Sequence, residues 1–125
     1  MKNILLILAV VFGFNAALQA QDTQTKTITL EQTPGEFTKK QLTVSEGTYV
    51  FEIVNNGIDH NVGFVLVEKG KDISKPENHV QTAYVTAPVA TDSKQNSKPT
   101  VLSKGEYVYF CPLNPTATDN ILVVQ

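Results

Sequence analysis

From residue 27 onward, short apolar runs alternate with turn residues, and nothing in that stretch repeats with the period of a long helix. Residues 27–30 and 41–44 alternate polar and apolar side chains, as a half-buried strand does. In 48–54, Tyr49, Phe51 and Ile53 share one face. Residues 62–67 are almost continuously apolar, which predicts a strand covered on both faces. Further runs at 79–85, 100–102, 107–111 and 121–124 are rich in β-branched and aromatic residues. Pro34-Gly35, Ser45-Glu46-Gly47, Asn55-Asn56-Gly57 and Lys104-Gly105 supply the turns between runs. About eight short strands in one small domain predict an all-β, antiparallel β-sandwich. Two stretches stand outside this pattern. The segment 69–88 contains Lys75-Pro76-Glu77-Asn78-His79, which suits a short helical turn begun by proline. The segment 92–99 is polar and reads as a mobile loop.

The first 20 residues belong to another kind of segment. A short basic start, an apolar run at 4–14 and small residues ending at Ala20 form a cleavable signal peptide, leaving 21–125 as one domain. The apolar run is shorter than the roughly 20 residues that span a bilayer. The mature chain is therefore expected in the periplasm or secreted, without a membrane span. Formal net charge is −2, and every basic residue is Lys. A mildly acidic chain without Arg argues against nucleic acid and anionic membranes as partners.

Cys111 is the only cysteine, so no intramolecular disulfide can form. In an oxidising compartment such a residue is buried and inert, paired between chains, or a metal ligand. Two motifs bear on the choice. In Asn55-Asn56-Gly57-Ile58-Asp59-His60-Asn61-Val62, a His follows a glycine turn and precedes an apolar strand. In Tyr107-Val108-Tyr109-Phe110-Cys111-Pro112-Leu113-Asn114-Pro115, the Cys ends a strand and opens a loop stiffened by two prolines. Alone, each has an ordinary reading: His60 as a loop residue, Cys111 as a small buried hydrophobe.

Together, in this order, the two motifs resemble the cupredoxins, the small blue copper proteins. The segments 42–44 and 46–51 are similar to that family's second and third strands. The resemblance spans the mature chain, being strong over 37–67 and 105–125. It implies a Greek-key β-sandwich with a copper site between the two motifs, His60 matching the first imidazole and Cys111 the thiolate. It also gives Asn61 the task of bracing the ligand loop. A thiolate, two imidazoles and a weak axial sulfur are the set that serves both copper oxidation states. Two of these are absent, because the positions of the second His and the Met hold Asn114 and Ala117.

Three readings follow. Copper held by His60 and Cys111, completed by water, Asn114, a carbonyl or a displaced His79, implies copper holding, delivery or electron transfer with a protein partner. A metal-free fold implies an interaction module. A Cys111 nucleophile with His60 as base is the minimum for covalent catalysis. It lacks an orienting acid, so the chain is expected not to be an enzyme.

Overall fold

The computed structural model describes residues 24–125, and the expected signal peptide lies outside them. Nine strands form: β1 (Lys26–Thr33), β2 (Glu36–Phe37), β3 (Gln41–Val44), β4 (Gly47–Asn55), β5 (Val65–Glu68), β6 (Lys94–Asn96), β7 (Thr100–Leu102), β8 (Gly105–Phe110) and β9 (Asn120–Val124). One sheet runs β2-β1-β4-β6, with β7 also pairing β4, and the other runs β3-β9-β8-β5. The expected β-sandwich is what the chain builds. Its sheets are mixed rather than wholly antiparallel, because β1 pairs β4 and β3 pairs β9 in parallel. Among the described residues no helix is long and apolar enough to cross a membrane.

The alternation seen in the sequence decides which side chains meet between the sheets. Ile28, Leu30 and Gln32 of β1 face inward, as do Tyr49, Phe51, Ile53 and Asn55 of β4. From the opposite sheet come Leu66, Tyr107, Tyr109, Leu122 and Val124. The centre of this core is aromatic. Phe37 meets Tyr109 edge-on with centroids 5.1 Å apart, and Phe64 lies 5.0 Å from Phe51 and 6.0 Å from Tyr109. Such pairs add about 0.5–1.5 kcal/mol each beyond the area they bury.

Two expectations fail, for different reasons. The run 79–85 is no strand but carries a short 3-10 turn at Gln81–Ala83, after another at Pro76–Asn78 where the proline turn was expected. Only a single bridge, Val67 to His79, and one hydrogen bond, Val80 N–H to Leu66 O, tie it to β5. Conversely, the polar stretch 92–99 contains β6, which pairs antiparallel with β4. Ser97 just beyond it is buried, donating its N–H to Phe51 O at 2.8 Å and accepting the Phe51 N–H on its hydroxyl. The strand is polar because it is an edge. Lys94 lies on its outer face, within 3.6 Å of Glu52.

Candidate functional site

Strand β8 sets the position of Cys111. Tyr107 and Tyr109 point inward, so the next residue of the same parity enters the interior where the strand stops. Cys111 is 5 % exposed. Its Sγ accepts the Gly63 N–H at 3.3 Å and the Asn114 N–H at 3.2 Å. The following loop is held from within. Thr116 Oγ1 accepts the Cys111 N–H, and Asn120 Nδ2 donates to Tyr109 O and to Ala117 O. The strand-end, proline-fixed setting expected for Cys111 is therefore present.

Asn114, at the position implied for the second imidazole, is buried and faces the end of β1. Its Nδ2 donates to Gln32 Oε1 at 3.2 Å and to Thr33 O at 3.0 Å. Its Oδ1 accepts the Gly35 N–H at 2.9 Å, in a turn whose φ of +80° suits glycine. Gln32, wholly buried, donates through Nε2 to Gly63 O at 2.8 Å. A closed circuit results: Cys111, Gly63, Gln32 and Asn114 each bond to the next, and Asn114 returns to Cys111. Among the described residues no buried side-chain nitrogen or oxygen lacks a partner. Full satisfaction matters, since an unpaired buried polar group costs about 1–3 kcal/mol.

His60 lies apart from this circuit. The residue is exposed, and its Nδ1 donates to Asn61 O at 2.9 Å, a carbonyl being able only to accept. No hydrogen bond joins it to Cys111. Asn61 is exposed and its side chain forms no hydrogen bond among the described residues, so the brace implied for it falls elsewhere. Asn55 braces the His60 loop instead. Buried at the end of β4, it donates Nδ2 to His60 O and Val89 O and accepts the Ile58 N–H, closing the 55–62 loop.

His79 is excluded from the Cys111 end by the sheet itself. Its ring meets Phe110, which points to the opposite side of β8 from Cys111, at a centroid distance of 6.3 Å. Both ring nitrogens are engaged, Nε2 with Ile73 O at 2.8 Å and Nδ1 with the Tyr84 hydroxyl.

Structures of three proteins resemble this one over most of its length. Auracyanin A, described as a "blue" copper protein from the green thermophilic photosynthetic bacterium Chloroflexus aurantiacus, is 20% identical, with a TM-score of 0.66 over 82% of this chain and 100% of its own. Auracyanin B is 17% identical, with a TM-score of 0.62 over 80% of this chain and 88% of its own. The auracyanin of the photosynthetic bacterium Roseiflexus castenholzii is also 17% identical, at 0.62 over 82% and 98%.

The fold is a cupredoxin fold.

No family model matches the chain, and no curated protein does. The blue copper centre associated with a cupredoxin fold can be tested against the donors present. Such a centre requires a second imidazole near the thiolate. Asn114 has spent its amide on Gln32, Thr33 and Gly35, Ala117 carries only a methyl, and His79 lies across the sheet. Among the described residues no three His, Cys, Asp or Glu side chains gather to hold a metal ion. These residues do not fit a blue copper centre.

One part of this site escaped the sequence reading. Gln32 falls at an inward position of β1, where a polar residue in an apolar register is a signal of a buried network.

Proposed function

We propose that this protein is a cupredoxin-fold interaction module of the cell envelope or the secreted fraction, working without a blue copper centre. The observation that carries the reading is the closed circuit through Asn114 and Gln32. It fills the place of the second imidazole with amide groups whose nitrogen and oxygen atoms each have a partner. The same circuit holds the loop rigid from Cys111 to Asn114. Between those two buried anchors, Leu113 is 56% exposed, flanked by Pro112 and followed by Pro115. An apolar side chain on a preordered loop loses little conformational freedom on binding, which suits it to a protein partner. Cys111 Sγ is bound by backbone N–H groups and His60 Nδ1 by a backbone carbonyl.

A second reading keeps copper through Cys111 and His60, for holding or delivery. It is favoured by the two N–H groups on Sγ, which stabilise thiolate charge, and thiolate selects Cu(I). The two readings part in an anaerobic Cu(I) competition titration of residues 21–125 alongside Cys111→Ser and His60→Ala. The module reading expects all three proteins to take up copper equally weakly. Tight uptake lost in both variants would overturn it in favour of copper holding.

A further inference from the structure

The four-stranded sheet has two edges, and they are finished differently. On β5 the 79–80 segment covers the edge through the Val67–His79 bridge and the Val80 to Leu66 hydrogen bond. On the far side, β3 pairs, among the described residues, with β9 alone. Its register shows which groups remain. Ile121 N–H donates to Lys40 O, Gln125 N–H to Val44 O, and Glu46 N–H to Gln125 O. In a parallel pair every second residue turns both backbone groups toward the neighbour. Residues 40, 42, 44 and 46 therefore face β9, while Gln41 and Thr43 turn their N–H and C=O groups outward; just past the strand, Ser45 turns its N–H outward but its C=O accepts the Tyr49 hydroxyl at 2.7 Å. Among the described residues, no backbone hydrogen bond reaches Gln41 or Thr43 from that side. Gln41, Thr43 and Ser45 are exposed, and Gln41–Val44 holds no Pro, Gly or charge, the usual guards of an open edge.

We propose that this edge pairs with the same edge of a second copy, giving a two-fold symmetric dimer with an eight-stranded sheet across both chains. The sequence is self-complementary in one antiparallel register. Outward-facing residues must oppose each other to exchange hydrogen bonds, which places Thr43 opposite the second copy's Thr43; Gln41 then lies opposite its Ser45, whose N–H donates to Gln41 O while Ser45 O stays with Tyr49. Leu42 then lies opposite the second copy's Val44, and both are partly buried residues that pack on the core, so the apolar face continues across the axis. At each end the same register sets Lys40 opposite the second copy's Glu46, making two ion pairs. Moving the register by two residues loses both, since Lys40 then meets Val44 or Thr48. Lys40 now meets Glu36 at 3.2 Å, but with their side chains 67% and 54% exposed that pair is weak and readily exchanged. A polar Thr pair on the outer face and an apolar pair on the inner face are both favourable cross-strand neighbours. The proposal does not rest on the loop function above.

The test is sedimentation of residues 21–125 over a wide concentration range at low salt, joined to amide hydrogen exchange at both ends of that range. The dimer is expected to form on concentration. Thr43 N–H should gain protection at high concentration, while Leu42 and Val44 N–H are protected throughout. Lys40→Glu should weaken association about tenfold, by turning two attractions into repulsions, and Lys40→Glu with Glu46→Lys should restore it. A chain that stays monomeric, a dimer in which Thr43 exchange does not change, or a charge swap that fails to restore association would each overturn the proposal.

Discussion

Asn114 and Gln32, far apart in sequence, share a hydrogen bond of 3.2 Å between their side-chain amides inside the protein. Each is also bound to backbone, Asn114 at Thr33 and Gly35, Gln32 at Gly63. The pair joins the end of β1 to the loop after β8, linking the two sheets by polar contacts at the end where Cys111 sits. Buried amides so placed hold the loop in one arrangement, which is what an exposed Leu113 requires if it is to dock on a partner.

Replacing Asn114 tests how much this contact matters. Asn114→Ala leaves Gln32 Oε1 without its partner inside the protein and removes the side-chain partner of Thr33 O and of the Gly35 N–H. The expected loss is about 2–4 kcal/mol in urea denaturation, with an unchanged m-value. A loss within about 0.5 kcal/mol would place the side chain outside the core network.

The circuit also predicts coupling. Gln32→Ala should be comparably destabilising, and the double variant should lose less than the sum of the two. An interaction energy of about 0.5–3 kcal/mol is expected from the double-mutant cycle. Simple additivity would mean that the two amides act independently.

Cys111 should be a slow nucleophile. Its burial, rather than its chemistry, controls access, so alkylation must await opening of the loop. Iodoacetamide at neutral pH is expected to react at least about 100-fold more slowly with native protein than with protein in urea. Comparable rates would show an accessible, activated thiol and revive the nucleophile reading.

Tyr109 gives a pH signature. Burial pushes its hydroxyl up to about 12, while it donates to Lys39 O at 2.6 Å. A raised folded-state value means that the native protein keeps a proton the unfolded chain releases near 10. The stabilisation is whole below about pH 10 and is lost as pH rises toward 12, amounting to about 2–3 kcal/mol. Tyr109→Phe should show a shallower loss of stability across that window. Equal slopes for the two proteins would contradict this assignment.

Much of the fold was legible because half-buried strands write their faces into alternate residues. The run at Tyr49, Phe51 and Ile53 showed an inward face, and the run 107–111 put Cys111 at a strand end. β6 was hidden because an edge strand beside a solvated face is composed of Lys, Gln and Asn, like a loop. The run 79–85 misled in the opposite direction. Its Val80 and Val85 are apolar because they pack against the core, not because they belong to a ladder. At the site, the resemblance to the cupredoxins pointed to Asn114 and Ala117. The sequence did not show what Asn114 contacts, since its partner is Gln32 in a distant strand. No local pattern encodes that contact.

The central claim, that amides close this end of the fold, is tested most directly by the side-chain amide resonances of Asn114 and Gln32 in residues 21–125, followed by hydrogen exchange before and after anaerobic addition of one equivalent of Cu(I). Slow exchange of both amides, unchanged by copper, is expected. Rapid exchange in the metal-free protein, or shifts of both amides and of the Gly63 and Asn114 N–H groups on Cu(I) addition, would contradict it.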